Sequence, residues 1–216
     1  MKTKTHLDGF VDIRYRPGRS TRTALGLLLA CAATVLFAFA LGLPTVWAQD
    51  QLPFRVTSRT FSNGGTLPLR MVYNQCQYFP GGGNRSPDLS WSNAPPETLS
   101  FVVIAYDHTA SFTHWGMYNI FVTTLPLNAG VPNSPYGTQV ANDFGDLRYN
   151  GPCPPPPLRP ASHTYVFTVY ALDIMLPTLP TIGSFPPGSE ALYHALIKAG
   201  REHHILRSAS IEGHFP

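Results

Sequence analysis

The residues with the clearest chemical potential are an aspartate and two histidines at the ends of apolar runs: Asp107, His114 and His163. The aspartate ends one run, and the first histidine begins the next after a short polar segment. A carboxylate beside histidines can fix their tautomers and raise their pKa values, which makes the imidazoles charge-assisted donors to a phosphate or carboxylate group. The alternative is that three polar strand-end residues simply meet solvent.

Three predicted strands would position this cluster. Residues Ser100–Tyr106 are rich in apolar, β-branched and aromatic side chains, which is typical of a central strand covered on both faces. The runs His114–Val122 and Thr164–Leu172 predict two further strands. An antiparallel hairpin of the first two would bring the aspartate and the first histidine to one rim of the sheet. A third strand parallel to the second would add the other histidine.

The remaining elements are short. A first strand is predicted over Pro53–Phe61, with a hairpin-like reversal at Asn63-Gly64-Gly65. The 22 prolines and the charged fraction of 12% favour strands and loops over long helices, so the predicted fold class is mainly β. Loops are predicted over 78–87 and 126–162, and a last strand over Ala209–Phe215. A helix is predicted over Glu190–Ala199, with Ser189 as its cap and Gly200 at its end. Its sheet-facing residues would be Leu192, Leu196 and Ala199.

Residues 1–48 are predicted to be an export signal. Four arginines precede an uncharged stretch whose apolar centre spans residues 24–43, and Val46-Trp47-Ala48 provides small or aliphatic residues at the positions that a signal peptidase inspects. The alternative is an uncleaved anchor that contacts the membrane through residues 24–43, because a run of about 20 apolar residues can also span a bilayer. Both interpretations place residues 49–216 outside the cytoplasm as one domain, periplasmic or secreted.

The charge of that domain argues against one class of partner. Six of the fifteen Lys and Arg residues and two of the twelve Asp and Glu residues precede residue 49. Residues 49–216 therefore hold nine basic and ten acidic side chains, a net charge of −1. Such a domain is not built to bind nucleic acid electrostatically.

Two cysteines remain in the domain once Cys31 of the apolar segment is set aside. Cys76 and Cys153 form an even pair in a protein expected to fold where disulfides persist. A disulfide between them is predicted, and closing so long a loop would contribute about 4 kcal/mol in the chain-entropy model. The alternative is a pair of buried free thiols.

Catalytic and metal-binding signatures are missing from the sequence. It has no GxSxG elbow, HExxH helix or CxxC pair, although Ser111 and Ser162 lie near the proposed rim. The late histidines, His194, His203, His204 and His214, have no acidic or cysteine partner at a ligand spacing and are expected to be solvent-exposed. We therefore expect neither catalysis nor a metal or cofactor.

Six motifs in order give the chain a family resemblance. They are SPDLSW, SFVVIAYD, HW, DFG, YNGPCPP and HTYVFTVYALD, beginning at Ser86, Ser100, His114, Asp143, Tyr149 and His163. Together they resemble the bacterial branch of the phosphatidylethanolamine-binding, or Raf kinase inhibitor-like, family. The resemblance implies a β-sandwich with a central antiparallel sheet, a smaller second sheet and a C-terminal helix. It also implies an anion pocket at one end, formed by Asp107, His114, His163, Tyr165 and the loop backbone at Gly151, Pro152 and Pro155.

The chain departs from the family pattern at two places. The family's Asp-Pro-Asp-x-Pro stretch is here Asp107-His108-Thr109-Ala110-Ser111, and the loop before His163 is about three residues longer than usual. The expected function is still non-catalytic binding of a small anionic or phosphorylated ligand, tighter near pH 5 to 6 than near pH 8 because histidine titrates at about 6.5. The alternative is a protein-interaction module that inhibits a protease or signalling partner through its rigid proline loop, Pro154–Pro157.

Overall fold

The computed structural model of the protein describes residues 52–155, 162–181 and 188–216. The predicted export segment, residues 1–48, and the last two prolines of the run Pro154–Pro157 lie outside these residues. Within them, no helix combines the length and the hydropathy that crossing a membrane requires. The strands are β1 Arg55–Thr57, β2 Gly65–Thr66, β3 Leu89–Ser92, β4 Ser100–Asp107, β5 Phe112–Ile120, β6 Thr124–Leu125, β7 Thr138–Gln139, β8 His163–Leu172 and β9 Ile205–Phe215, with a 3-10 helix at Leu69–Met71 and an α-helix, α1, at Gly188–Arg201.

A six-stranded sheet in the order β2-β9-β8-β4-β5-β7 forms the centre of the fold. Strand β4 pairs antiparallel with both β5 and β8, so β5 and β8 run parallel to each other. Nearly every residue of β4 is buried, which explains its apolar composition. The predicted hairpin and the predicted direction of the third strand are therefore confirmed.

The two faces of this sheet are covered differently. The smaller sheet, β1-β3-β6, covers one face, and its Trp91 packs against Phe101 of β4 with ring centroids 5.2 Å apart. Helix α1 covers part of the other face, where Leu192, Leu196 and Ala199 are buried as predicted. The fold is thus mainly β, with two sheets and one C-terminal helix.

Several local predictions need correction. No hairpin joins the first two strands, because β1 pairs with β3 in the small sheet whereas β2 pairs parallel with β9 in the large one. The turn at Asn63-Gly64-Gly65 leads from one sheet to the other. Strand β5 begins at Phe112, so His114 is its third residue. Ser189 lies inside α1, where its hydroxyl donates to Asp143 Oδ1 at 2.8 Å.

The predicted disulfide is present. Cys76 and Cys153 are bonded with a Cα–Cα distance of 5.5 Å and a sequence separation of 77 residues. The bond joins the loop after the 3-10 helix to the YNGPCPP loop. A crosslink of this span stabilises the fold by about 4 kcal/mol, chiefly by restricting the unfolded chain.

Candidate functional site

The predicted strand ends meet at one cavity of about 240 Å³ at the rim of the large sheet. Asp107, the last residue of β4, is in register with Phe112 of β5 and with Tyr165 of β8. The polar side chains at the ends of these three strands therefore lie together at this cavity. The lining residues are Asp107, Ala110, Phe112, His114, Phe144, Cys153, Pro154, Pro155, His163 and Tyr165.

Asp107 is a buried carboxylate whose two oxygens both accept hydrogen bonds. Oδ1 accepts from the backbone amides of Thr109 at 2.8 Å and Ala110 at 3.0 Å, and so it closes the turn after β4. Oδ2 lies 2.7 Å from Nδ1 of His163. The carboxylate accepts, so the imidazole Nδ1 carries the proton and the ring is held in one orientation. Asp107 thus positions His163 instead of facing the cavity as an unpaired charge.

His114 is held by a different partner. Its Nδ1 lies 2.7 Å from the backbone carbonyl oxygen of Asn150, which can only accept, so Nδ1–H is the donor. Burial lowers the pKa of His114 below its ordinary value, against smaller raising effects from that carbonyl, Asp107 and Asp143. Asp107 does raise the pKa of His114, as expected, but burial lowers it by more, so the net pKa falls. This imidazole is a neutral member of the site.

A buried asparagine network fixes the carbonyl that orients His114. Asn150 donates from its backbone amide to the carbonyl of His114 at 3.1 Å, and its side-chain oxygen accepts from Asn84 Nδ2 at 2.9 Å. Asn84 Oδ1 in turn accepts from the Gly151 amide at 2.8 Å. The two links of Asn84 join loops more than sixty residues apart in sequence. The two asparagines were not predicted, because no short-range signal points to such a pairing.

The loop residues predicted to bind the ligand separate into two groups. Pro155 lines the cavity, whereas Gly151 and Pro152 do not belong to its described lining. The Gly151 amide is occupied by Asn84, and a Cβ at this position would lie 1.7 Å from the carbonyl oxygen of Met71. The carbonyl of Pro152 accepts from the Tyr73 amide at 3.0 Å. Gly151 and Pro152 therefore pack the loop against the domain, and their role in ligand binding stays a prediction.

Aromatic rings form the walls of the cavity. Tyr165 is buried, and burial, together with the charge of Asp107 and a hydrogen bond to it, raises the pKa of its phenol, so it stays a neutral hydroxyl. Phe112 and Phe144 meet edge to face at 4.9 Å, and Phe144 lies 5.7 Å from the His114 ring between centroids. Sequence reasoning missed both phenylalanines. Phe112 could have been found, because it is two residues before His114 and so shares its face of the strand.

Metal chemistry and serine chemistry gain no support from the described part of the chain. Within residues 52–155, 162–181 and 188–216, no group of three His, Cys, Asp or Glu side chains could hold a metal ion. Neither Ser111 nor Ser162 belongs to the described lining of the cavity. His194 and His203 are exposed as expected, but His204 and His214 are half-buried, and His204 Nδ1 lies 2.9 Å from Asp173 Oδ1.

The arrangement can present both donors and acceptors to a small polar group inside apolar walls. The model for the phosphatidylethanolamine-binding protein family matches residues 57–216. The chain belongs to the phosphatidylethanolamine-binding protein family. Among relatives of this family, a protein of Aquifex aeolicus is 39% identical over 164 residues, covering 73% of this chain and 85% of its own. YbhB of Escherichia coli is 37% identical over 129 residues, covering 56% and 78% respectively.

Solved structures of the family agree with the fold. The crystal structure of YbcL from Escherichia coli, described as a new member of the mammalian PEBP family, has a TM-score of 0.60 and 31% identity and covers 75% of this chain and 97% of its own. CT736 of Chlamydia trachomatis, described as a putative PEBP homologue, has a TM-score of 0.58 and 29% identity, with 76% and 97% covered.

Proposed function

We propose that this family member binds a small anionic or phosphorylated group in the cavity at the rim of the large sheet, without catalysing its turnover. One observation carries the proposal: Asp107, His114, His163 and Tyr165, from three different strands, line one cavity of about 240 Å³. Polar side chains that converge in an otherwise apolar pocket are the usual arrangement of a ligand site.

The charged and hydrogen-bonded groups of the cavity favour an anionic ligand whose binding is accompanied by the uptake of a proton. Asp107 is already satisfied by two amides and by His163, so it does not need a ligand cation. A bound anion adds a second negative charge beside His163 and favours its imidazolium form, whose Nε2–H is then a charge-assisted donor. The Tyr165 hydroxyl and the neutral His114 complete a site that suits a phosphate monoester or a carboxylic group.

The apolar residues around the cavity suit the organic part of such a ligand. Ala110, Phe112, Phe144, Pro154 and Pro155 surround the polar floor, so a headgroup-like ligand could place its anion inside and its organic part against these side chains. The loop that bears the two prolines is fixed by the disulfide at Cys153, so it loses little conformational entropy on binding.

Isothermal titration of the full chain with inorganic phosphate and with phosphoethanolamine tests the proposal. We expect binding with net proton uptake, measured from the dependence of the heat on buffer ionisation enthalpy. His163→Ala should weaken affinity by about tenfold or more, because a charge-assisted hydrogen bond is lost. His194→Ala, which alters an exposed histidine on α1, is the matched control and should change nothing.

The outcomes separate binding from the alternative role in protein inhibition. Absence of any titratable heat with both ligands, or equal affinity in His163→Ala and wild type, would contradict the proposed pocket. The inhibitory alternative predicts instead that a variant with Pro154 and Pro155 changed to Ser loses protease or partner inhibition while His163→Ala retains it. Ester hydrolysis by the wild-type chain would show that the non-catalytic part of the proposal is wrong.

A further inference from the structure

A second cavity, of about 430 Å³, lies on the opposite face of the large sheet from the anion pocket. Successive residues of a strand point to opposite faces, so Asp107 reaches one cavity and Tyr106 the other. Helix α1 covers this face only in part. Its lining includes Tyr106, Tyr170, Tyr193 and His108, together with Val166 and Thr168.

The rings in this cavity meet at steep angles. The Tyr106 ring is 6.4 Å from the Tyr193 ring with an interplanar angle of 77°, and 6.3 Å from the His108 ring with an angle of 88°. All three tyrosines are half-buried, so part of each ring stays accessible from the cavity. Rings that form a corner around an open space are the arrangement that recognises quaternary ammonium groups.

Two tyrosines of this cavity, Tyr170 and Tyr193, have raised pKa values and are neutral at physiological pH. Burial raises the pKa of Tyr170, and burial raises that of Tyr193 to about 12 even though a hydrogen bond with Thr113 lowers it. Neutral phenol rings attract a cation through the quadrupole of the π-system, which needs no formal charge.

The charges around the cavity have the sign that a cation requires. Among the described residues that line it, there is no Lys or Arg. Glu212 of β9 is exposed and directly opposite Val166 in register, so it lies on the same face of the sheet as the cavity. The negative charge of Asp143 also acts on Tyr193. An anion would therefore find neither Lys nor Arg among the described lining residues.

We propose that Tyr106, Tyr170, Tyr193 and His108 form a cage for a small organic cation, of the class of quaternary or methylated ammonium compounds. Glu212 supplies long-range attraction at the edge of the cage. The site is independent of the anion pocket, since the sheet separates them and each uses its own side chains.

A pair of isosteric ligands tests the cage. Choline and 3,3-dimethylbutan-1-ol have the same shape, but only choline carries a positive charge. We expect choline to bind to the full chain in isothermal titration and in saturation-transfer NMR, and the neutral alcohol to bind at least about tenfold more weakly. Equal affinity for the two compounds would show a merely hydrophobic groove, and failure of choline to bind would also overturn the proposal.

Variants locate the site. Tyr106→Leu should weaken choline binding by about tenfold, whereas Tyr106→Phe, which keeps the ring, should change it by less than about threefold. Because the leucine variant could affect folding, Glu212→Gln is a second test: it changes an exposed side chain and should weaken choline binding by about twofold at low salt, with no effect on the alcohol. Glu97→Gln, an exposed residue before β4, is the matched control. If His163→Ala abolished choline binding, the cation would belong to the anion pocket and the proposal would be wrong.

Discussion

At the scale of single residues, the two histidines of the pocket differ because their partners differ. His163 contacts a carboxylate, whereas His114 contacts a backbone carbonyl in a more buried position. A carboxylate stabilises an imidazolium by charge, but a carbonyl dipole does so only weakly against the cost of desolvation. The same residue type is therefore held by a carboxylate at one side of the cavity and by a backbone carbonyl at the other.

The lowered pKa of His114 has a consequence for stability against pH. Between that lowered value and the ordinary value of about 6.5, the unfolded chain binds a proton at this residue and the folded chain does not. The free energy of unfolding should therefore decrease as pH falls below about 6.5, by at most about 1.4 kcal/mol per pH unit from this residue. His114→Gln should remove that part of the slope.

Urea unfolding from pH 5 to pH 8 measures the difference between the two proteins. The variant should be less stable than wild type at pH 8, because a buried, hydrogen-bonded ring is replaced, and the gap should narrow at pH 5. His194→Gln, an exposed histidine on α1, should follow the wild-type curve. A gap that stays constant across this range would contradict the assignment of a neutral, buried His114.

At the scale of elements, a strand can be predicted from the sequence when the residues of that strand alone produce a recognisable pattern. Strands β4 and β8 were predicted to within one residue, because both are long and their burial is visible in composition and alternation. The two-residue strands β2, β6 and β7 were missed, because pairing with a neighbouring strand alone defines them. A ladder of two residues leaves no periodic pattern.

The residues of the candidate site show the same difference between local patterns and tertiary contacts. The meeting of Asp107, His114, His163 and Tyr165 at one cavity follows from strands whose pattern is visible in the sequence. Phe144 and the asparagine network were missed, because they depend on loops brought together by tertiary contacts. The roles of Gly151 and Pro152 rest on the resemblance, and the structure adds that this loop packs against Met71 and Tyr73.

The disulfide acts on a whole loop element, and its removal is the corresponding test. Cys153 lines the cavity, and its bond to Cys76 holds the YNGPCPP loop beside the 3-10 helix region. The variant with both cysteines changed to Ser should lose about 4 kcal/mol of unfolding free energy in the chain-entropy model. Phosphate affinity should also fall, because one wall of the cavity is less restrained.

Treatment of wild type with a reductant that opens the bond provides a second route to the same state. Denaturant unfolding and phosphate titration should give the same losses in the reduced wild type and in the Ser variant. If stability fell while phosphate affinity stayed unchanged, the loop would keep its position without the crosslink, and the disulfide would serve stability alone.

At the scale of the whole molecule, the large sheet separates two cavities, one on each of its faces. The proposed anion pocket is assembled from β4, β5, β8 and two loops, and the proposed aromatic cage from β4, β8, α1 and the turn after β4. Neither set of side chains is assembled in the unfolded chain. Each ligand should therefore bind the native state alone and stabilise the domain by linkage.

Thermal unfolding with each ligand, and with both together, tests this arrangement. A ligand at about one hundred times its Kd should add about 2.7 kcal/mol to the free energy of unfolding, and two ligands on opposite faces should add their effects within about 0.5 kcal/mol. His163→Ala should lose the phosphate effect and keep the choline effect, while Tyr106→Leu should do the reverse. If both ligands together raised the free energy of unfolding by far less than the sum of their separate effects, the two ligands would compete for one site, because only one of them can occupy a shared site at a time.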